Sequence, residues 1–510
     1  MRYDQRHQPS WPLASLLVVF MCWLGALAQA TSLDTVIVNG RVMDPASGRD
    51  AYMNVGIRGG RVVAVTTDAI KGARTIDASG HVVAPGFVDT HYHGTLPLHY
   101  RIAARNGVTT AMDLEYGTLG TRVDEWYGAR RGSSLINFGT GSSHELARAH
   151  VLDGVDSIDT SEAHVARSGT QWSRTVLNEQ QMREVSDTIQ AGFDAGAIAF
   201  SSTLGYMPGA TGDEFYRLQA LASKANRITS VHLRHTPGTA TEQLTGAQEV
   251  LANAAALNGA AIINHFNNPG WASVYRLIRD MQARGFNVWG ELYPYGVGST
   301  TINAVFLDPS NHKERLGLRY EETLYDPAVN RFLTEDEFLA LRQEDPTHVI
   351  LIHKMPAGDV PQWLGLKGIA IASDCLPPLQ IGNIDSDLTD LPNVHPRAAG
   401  TYAKTLRLAR EQDLDLMTVL AQTSWVPASG LARLGLASMA ERGRVQVDAI
   451  ADLVVFDPEQ VTDHSTYENG NQLATGFKAV LVSGEVIVDN DRALTARTPG
   501  REIRFPPSGP

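Results

Sequence analysis

The sequence predicts an α/β protein, a (β/α)8 TIM-like barrel with a small β-sandwich built from both chain ends. Two observations predict this fold. Short apolar segments alternate with amphipathic helical segments through the middle of the chain, which is the pattern of a parallel barrel. Segments near both ends instead show strand-like runs separated by turn residues. The 510 residues are enough for more than one domain.

The first 30 residues differ from the rest of the chain. An apolar run from Leu13 to Leu27 follows two arginines, and Ala28 and Ala30 offer the small residues that a signal peptidase recognises. We interpret residues 1–30 as a cleaved secretory signal that directs the protein across the inner membrane to the periplasm. The alternative is an uncleaved membrane anchor, although the run is short for a span.

Charge and cysteine content narrow the possible partners. The chain has 43 basic and 55 acidic residues and a formal net charge of −12, which argues against nucleic acid and anionic membrane surfaces. Removal of residues 1–30 would leave Cys375 as the single cysteine, so an internal disulfide is excluded. No later stretch is apolar enough to span a bilayer, so we expect no stable membrane insertion after cleavage.

The two chain ends are expected to form the β-sandwich together. Residues 31–84 contain the strand-like segments DTVIVNGRVMD, AYMNVGIRGGRVVAV and RTIDASGHVVAP, which are separated by Asn-Gly, Gly-Gly and Ser-Gly turns. Residues 439–510 contain GRVQVDAIADLVVFDP and FKAVLVSGEVIVDN.

Residues 85–438 are predicted to form the barrel. The eight expected strands are FVDTHYH, TTAMDLE, SLINFGTGSSH, AIAFSSTLGY, ITSVHLRH, AAIINHF, FNVWGELYPY and IAIASDC. The stretch between Thr301 and Thr347 is longer than one barrel helix. It predicts an insertion near the active-site face, with HVILIHK as an additional strand.

The segment GFVDTHYHG places two histidines at the end of the first expected strand. Residues two apart on a strand point to the same face, so His91 and His93 would project side by side. Two adjacent imidazoles are unfavourable as a pair of cations and favourable as neutral ligands of one metal ion.

Further polar residues follow other apolar strands, where a TIM barrel forms its active site. The six candidate ligands are His91, His93, Glu115, His232, His265 and Asp374. Four histidines and two carboxylates at the same ends of the strands predict a metal centre.

These residues carry a family resemblance. The chain resembles the amidohydrolase superfamily and, within it, the D-aminoacylases or N-acyl-D-amino-acid deacylases, especially the N-acyl-D-glutamate deacylase branch. The matching segments are GFVDTHYH, NGVTTAMDLEYG, GAIAFSSTLGYMPGA, SVHLRH, ELYPYGVGST, ASDCLP, HPRAAGTY and QTSWVPA.

The resemblance implies two metal positions. His91, His93 and Asp374 would bind one metal, and His232 and His265 would bind the other. D-aminoacylases complete or bridge the site with a cysteine after the second strand, a position that has no cysteine here.

Glu115 lies one residue before the aligned cysteine position, and its two oxygens could bridge the metals. Asp113 lies on the same strand face and is the alternative. Zinc suits these ligands, while manganese, iron and cobalt stay open. Asp374 would take a proton from the attacking water and pass it to the departing amine.

The resemblance also indicates which residues surround the substrate. Tyr206, which follows the fourth expected strand, and Tyr293, Tyr295 and Ser299, which follow the seventh, lie in segments that surround the substrate in the family. A tyrosine, with Tyr206 and Tyr295 as the candidates chosen, and Ser299 would donate hydrogen bonds to the substrate carboxylate or the oxyanion, unless the tyrosines only pack the barrel rim.

Arg234, Lys354 and Arg397 are the cationic candidates for binding a carboxylate, and the two arginines are preferred because a guanidinium can form two parallel hydrogen bonds. Arg397 could instead anchor a loop.

One residue departs from the family pattern. D-aminoacylases have a lysine two residues after the sixth-strand histidine, and this chain has Asn267 there. The loss of that positive charge puts an acidic substrate side chain in question.

The expected function is metal-dependent hydrolysis of the amide bond of small N-acyl-D-amino acids, in which metal-activated hydroxide attacks the acyl carbon. One alternative is a metallo-dipeptidase or another hydrolase of linear or cyclic amides in the same superfamily. A second alternative is a secreted binding protein without catalysis.

Overall fold

The computed structural model describes Met1 and residues 32–159, 171–234, 245–377 and 383–507. Apart from Met1, the predicted signal peptide of residues 1–30 lies outside the described residues, so export stays a prediction. Within the described part of the chain, no helix is long and apolar enough to cross a membrane.

The strands follow one another in four blocks. The first block is β1 Leu33–Asp44, β2 Arg49–Arg58, β3 Arg61–Thr66, β4 Gly72–Asp77 and β5 Val82–Pro85. The barrel strands β6 to β12 are Phe87–Asp89, Val108–Thr118, Asn137–Ser143, Ala199–Ser202, Ile228–Val231, Ala261–Ile263 and Val288–Leu292. An insertion contains β13 Gly298–Thr301, β14 Leu324–Asp326, β15 Arg331–Phe332 and β16 Val349–Ile352. The last barrel strand is β17 Ala370–Ile371, and the final block is β18 Leu453–Phe456, β19 Phe477–Val482, β20 Glu485–Asp489 and β21 Arg492–Ala493.

Helices connect most of the barrel strands. The α-helices before β17 span Pro97–Ala104, Val123–Arg130, His144–Asp153, Gln171–Arg174, Glu179–Asp194, Gly212–Lys224, Thr245–Leu257, Trp271–Ala283, Tyr320–Thr323, Glu335–Glu344 and Val360–Leu364. Those after it span Arg397–Glu411, Leu416–Leu420, Val426–Ala432 and Ala437–Ala440. Shorter 3₁₀ turns span Gly120–Arg122, Leu204–Tyr206, Val305–Leu307, Ala357–Asp359 and Leu388–Asp390, and π-helical turns span Ser310–Arg315 and Ala421–Trp425.

The helix Glu179–Asp194 shows how the sequence encodes these connections. The side chain of Asn178 accepts hydrogen bonds from two backbone N–H groups of the first turn, and the side chain of Gln181 accepts one from the backbone N–H of Asn178. The buried apolar residues recur every three or four positions and face the barrel: Met182, Val185, Ile189 and Phe193.

The two chain ends build one nine-stranded sheet. Strand β5 pairs antiparallel with β18 and parallel with β1, so the first and last strand blocks are hydrogen-bonded to each other. Its core contains Ile37, Val55, Val455 and Leu481. The prediction that both ends contribute to one β domain is therefore confirmed, while the boundaries at residues 84 and 438 stay predictions.

The eight predicted barrel strands are all present and form one parallel sheet in the order β6 to β12, followed by β17. The ring closes where the N–H of His93 donates to the carbonyl of Cys375 over 3.0 Å, beyond the ends of β6 and β17. The residues of these eight strands are buried, as expected for a parallel barrel covered by helices.

The predicted insertion folds as a small antiparallel sheet of β13, β16, β14 and β15 in that order. Strand β16 lies within HVILIHK, so the additional strand is confirmed. The insertion lies beside the carboxyl end of β12 and forms part of a pocket wall.

Candidate metal centre

The carboxyl ends of five barrel strands bring the six predicted ligands together. His91 and His93 follow β6, Glu115 lies near the end of β7, His232 follows β10, His265 follows β11 and Asp374 follows β17. They form two groups, each with potential ligand atoms within 4.8 Å of one another: His91, His93 and Asp374, and Glu115, His232 and His265.

Glu115 lies between the two groups. Its Oε2 is 3.2 Å from Nε2 of His91 and 3.4 Å from Nε2 of His93. Its Oε1 is 3.0 Å from Nδ1 of His232 and 3.1 Å from Nε2 of His265. This arrangement suits a carboxylate that bridges two metal ions.

Two pairs of histidine nitrogens face each other at short range. Nε2 of His91 lies 3.0 Å from Nε2 of His93, and Nε2 of His265 lies 2.9 Å from Nδ1 of His232. The lone pairs of two nitrogens this close repel each other unless a proton or a bound cation lies between them. Four imidazoles with adjacent carboxylates are the ligands that zinc prefers, so these residues fit a metal centre.

Carboxylates surround His91 and His93. Burial lowers the pKa of His91, but the carboxylates of Asp374, Glu115 and Glu291 outweigh burial and raise that pKa well above its usual value. The pKa of His93 is also raised, against the effect of burial. The same negative charge favours a bound cation.

His232 lies in a different environment. Burial and the neighbouring His265 lower the pKa of His232 to about 4, although Glu115 favours its protonated form. Its ring packs against Tyr206 and Phe306, with centroid distances of 4.7 and 6.0 Å. This half of the centre is therefore less negative.

Two carboxylates lie behind the first pair of histidines. Oε1 of Glu291 accepts a hydrogen bond from Nδ1 of His91 over 2.6 Å, and Oδ2 of Asp113 lies 3.2 Å from Nδ1 of His93. Asp113 therefore contacts the far side of the His93 ring, whereas Glu115 reaches all four histidines. This geometry favours Glu115 over Asp113 as the bridging residue.

Sequence reasoning missed Glu291 and Asp89. Glu291 is a buried acidic residue within the apolar strand β12, and this unusual placement was the available signal. Asp89 accepts hydrogen bonds from the backbone N–H groups of His91 and Ser373, both over 3.1 Å, and so links the ends of β6 and β17. Burial raises the pKa of Asp89 to about 6.

Asp374 and His265 have unusual backbones. Their φ angles of 50° and 30° lie in the left-handed region that residues with side chains rarely adopt. Such strain is concentrated at functional sites.

Asp374 also forms a buried ion pair. Its Oδ2 lies 2.7 Å from Nη1 of Arg397. Burial alone would raise the pKa of Asp374, but Arg397 and His91 lower it well below its usual range. Asp374 is therefore ionised at neutral pH.

Comparisons with known proteins agree with this architecture. No family model matches the chain. N-acyl-D-glutamate deacylase from Alcaligenes xylosoxydans xylosoxydans is 26% identical over 504 residues, which cover 92% of this chain and 96% of that protein. D-aminoacylase from the same organism is 26% identical over 508 residues, with 92% and 97% covered.

A solved structure extends the comparison to the fold. The zinc complex of N-acyl-D-glutamate deacylase from Bordetella bronchiseptica, with a phosphonate that mimics the tetrahedral intermediate, is 22% identical to this chain. It aligns with a TM-score of 0.74 and covers 93% of this chain and 100% of its own. The chain is similar to D-aminoacylases over most of its length, and it shares their fold.

Beside the candidate metal centre lies a pocket of about 380 Å³. His232, His265 and Asp374 line its inner end, and Phe306 and Met355 belong to its largely apolar wall. The predicted substrate residues Tyr206 and Ser299 both line it. The Ser299 hydroxyl is buried and makes no hydrogen bond to a described residue.

Tyr295 does not line this pocket. It is buried behind the site, where its hydroxyl lies 3.4 Å from the carbonyl of Pro396 and its ring packs against Lys404. Tyr293, two residues earlier, lines the pocket, and its ring lies 4.7 Å from the Arg397 guanidinium. The structure thus favours Tyr293 over the predicted Tyr295.

The two predicted arginines are placed differently. Arg397 lies beside Asp374, at the metal centre. The Arg234 guanidinium donates to Glu249 over 2.8 Å and to the carbonyl of Ala210 over 2.6 Å, so these donors are already used within the protein. Arg234 also lines the pocket, so its role in binding a carboxylate stays a prediction.

Asn267 also has a structural contact. It is fully buried, and its amide N–H group lies within hydrogen-bond distance of the carbonyls of Tyr293 and Tyr295. This contact fixes the YPY turn that carries Tyr293 toward the pocket.

Proposed function

We propose that this chain is a metal-dependent hydrolase that cleaves the amide bond of N-acyl-D-amino acids into a carboxylate and a free amino acid. The observation that carries the proposal is Glu115, whose two oxygens face four histidine nitrogens at the inner end of a pocket. The relatives that match most of the chain bear the names of D-aminoacylases and deacylases. The substrate class and its D configuration are taken from them.

We infer that the metal is zinc. Imidazole and carboxylate ligands suit zinc, and the related Bordetella enzyme was solved with zinc. Manganese, iron and cobalt accept similar ligands and are distinguished by metal analysis. When bound, the ion supplies Lewis-acid activation of the acyl carbonyl and of a water molecule.

Asp374 acts as the general base and then as the general acid. Its carboxylate is ionised and lies at both the metal centre and the pocket, so it can accept the proton of the attacking water. It then delivers that proton to the nitrogen of the breaking amide bond, because an amine leaves poorly unless it is protonated.

Three residues are proposed to hold the substrate. The hydroxyl of Ser299, which makes no hydrogen bond within the described residues, and the hydroxyl of Tyr293 can donate hydrogen bonds to the developing oxyanion or to the substrate carboxylate. Arg397 lies beside Tyr293 and can bind the same carboxylate through its planar guanidinium.

The alternative function, a metallo-dipeptidase, has less support than the deacylase. A free amino group on the substrate calls for an accessible carboxylate, and the acidic residues among the described lining of this pocket are Asp308 and Asp374. Asp308 is bound to Arg342 over 2.6 Å, while Asp374 is bound to Arg397. The arginine beside each carboxylate weakens its attraction for an ammonium group.

The test is amine release from a panel of N-acetyl-D-amino acids, N-acetyl-L-amino acids and dipeptides by the zinc-loaded protein. We expect release from the D-amides and loss of release in Asp374→Asn. Asp326→Asn is the matched control, because Asp326 is also buried and bound to a histidine but lies in the insertion sheet. Release from dipeptides alone would replace the deacylase proposal with the dipeptidase.

We also infer that residues 1–30 direct the protein to the periplasm. The support is the pair of arginines, Arg2 and Arg6, the apolar run that follows them and the Ala-Gln-Ala sequence. Amino-terminal sequencing of protein from the periplasmic fraction should begin at Thr31. A full-length product in the membrane fraction would instead indicate an anchor.

A further inference from the structure

We propose that His395 is a positioning residue for substrate binding, which holds Arg397 and Ser299 at the separation that one substrate carboxylate requires. The inference rests on the proposed function and deepens it. Within the described part of the chain, His395 does not line the pocket, so it would act through the two segments that it joins.

Both ring nitrogens of His395 form hydrogen bonds, and they reach different segments of the chain. Its Nδ1 accepts a hydrogen bond from the backbone N–H of Arg397 over 3.0 Å. Its Nε2 donates to the carbonyl of Val297 over 2.9 Å, because a carbonyl oxygen can only accept. The ring therefore carries its proton on Nε2 and joins the start of the helix Arg397–Glu411 to the residue before β13.

The surroundings of His395 keep its ring neutral and hold its orientation. Burial, reinforced by the charge of Arg397, lowers the pKa of His395 well below its usual value. The rings of Tyr293, Tyr295 and Tyr467 pack against it, with centroid distances of 6.3, 5.2 and 5.4 Å. A neutral imidazole packed in this way can hold the two backbones at a constant distance.

A second contact between the same two segments is longer. The hydroxyl of Tyr295 lies 3.4 Å from the carbonyl of Pro396, near the limit of a hydrogen bond. The two hydrogen bonds of His395 are 0.4 Å or more shorter than this contact. His395 is therefore the stronger connection between the segments.

The two joined segments carry buried donor groups that make no hydrogen bond within the described residues. These groups include Nε of Arg397 and the hydroxyl of Ser299. Both residues line a cavity of about 50 Å³ beside the metal centre, together with Asp374. Buried polar groups are seldom left without a partner, so a ligand group with acceptor oxygens is the expected occupant. A carboxylate has two such oxygens and can accept from both residues.

The separation of these donors depends on contacts between distant parts of the chain. Ser299 lies in β13 of the insertion sheet, whereas Arg397 begins a helix that follows the last barrel strand. A carboxylate is rigid, so a shift of either segment would break one of its hydrogen bonds. Loss of the His395 contacts should therefore weaken carboxylate binding and leave the zinc content unchanged.

The test is calorimetric binding of two phosphonate analogues that mimic the tetrahedral intermediate of N-acetyl-D-amino-acid hydrolysis. One analogue has the amino-acid carboxylate, and the other has a carboxamide in its place. His395→Phe keeps an aromatic ring and removes both hydrogen bonds. We expect its affinity for the carboxylate analogue to fall by about 10–100-fold, the effect of losing hydrogen bonds to a charged group. Its affinity for the carboxamide analogue and its zinc content by mass spectrometry should stay nearly unchanged.

Two further variants keep one hydrogen bond each. The side-chain oxygen in His395→Asn can still accept from the Arg397 backbone, and the side-chain amide in His395→Gln can still donate to Val297. We expect each to lose less affinity for the carboxylate analogue than His395→Phe does. If His395→Phe fails to fold, as judged by circular dichroism, these two variants decide the question, because each should still bind that analogue more weakly than the wild type.

His348→Phe is the matched control. The ring of His348 also joins two segments, since its Nε2 lies 2.9 Å from Oδ1 of Asp326, but His348 lies in the insertion beside β16 and outside the described lining of the pocket. This variant should bind both analogues as the wild type does.

The inference is overturned if His395→Phe binds the carboxylate analogue as tightly as the wild type. It is also overturned if both analogues lose affinity equally or if His348→Phe shows the same selective loss, since either result would indicate a general structural role. A wild-type protein that binds the two analogues equally overturns it as well. Each of these results leaves the proposed hydrolase intact, whereas a zinc-loaded wild type that binds neither analogue removes the proposed function together with the inference.

Discussion

Oε1 of Glu291 lies 2.6 Å from Nδ1 of His91, although the two residues are 200 positions apart in the chain. The contact joins the seventh barrel strand to the end of the first. It holds one histidine of the GFVDTHYHG segment with its other nitrogen toward Glu115 and Asp374. The reactive ends of the barrel strands are thus fixed by buried polar contacts between distant strands.

Glu115 is the first target for mutation. Glu115→Ala removes the oxygens that face both halves of the centre, so we expect zinc binding to fall in both. The loss in affinity should be at least the roughly 10–100-fold typical of losing an indirect metal contact. Metal content by mass spectrometry checks this. Loss of one zinc with full retention of the other would show that Glu115 does not bridge.

Substitutions of Tyr293 and Tyr295 test which tyrosine of the YPY segment contacts the substrate. The sequence favoured Tyr295, whereas the structure places Tyr293 at the pocket. Tyr293→Phe removes a hydroxyl at the pocket, and we expect kcat/KM to fall by about 10–100-fold, the effect of losing a charge-assisted hydrogen bond. Tyr295→Phe alters a buried contact behind the site and should leave kcat/KM nearly unchanged. A larger loss of kcat/KM in Tyr295→Phe than in Tyr293→Phe would support the sequence-based prediction that Tyr295 contacts the substrate.

Arg397→Lys keeps a positive charge and removes the planar guanidinium. We expect KM for N-acetyl-D-amino acids to rise by about tenfold or more, because a lysine cannot bind a carboxylate through two parallel hydrogen bonds. Steady-state kinetics with equal zinc loading measures it. An unchanged KM together with a lower kcat would show that Arg397 acts only through its ion pair with Asp374 and does not bind the substrate.

His312 makes stability depend on pH. Burial, reinforced by the charge of Lys354, lowers its pKa to about 4, and its Nε2 lies 2.8 Å from the Thr323 hydroxyl. The unfolded chain binds a proton near pH 6.5 whereas the folded chain does not, so stability falls as the pH drops from 6.5 toward 4.

His312→Gln removes this titration. We expect a shallower loss of the free energy of unfolding between pH 6.5 and 4, by at most about 1.4 kcal/mol per pH unit. Urea unfolding at several pH values measures it. Identical pH slopes in the variant and the wild type would show that His312 does not contribute.

Much of the site could be predicted from the sequence because its ligands follow short apolar strands. Alternation on a strand pairs His91 with His93, and a parallel barrel collects strand ends at one face. The contacts of Asp113 and Arg397 could not be predicted in the same way. Both depend on side-chain directions across the barrel, and strand alternation alone left Asp113 and Glu115 equivalent.

The choice between Tyr293 and Tyr295 also needed the structure. Simple strand alternation places the two on the same face. The chain has left β12 at Leu292, however, and the turn that follows directs one ring to the pocket and buries the other behind it. Asn267 holds the carbonyls of that turn from a different strand end.

The most direct test of the central claim is amine release from N-acetyl-D- and N-acetyl-L-amino acids by protein stripped of metal and then reloaded with zinc. The account predicts no release from the stripped protein, D-selective release after zinc is restored, and no release from zinc-loaded Asp374→Asn. Equal release with and without metal, or full activity in Asp374→Asn, would contradict it.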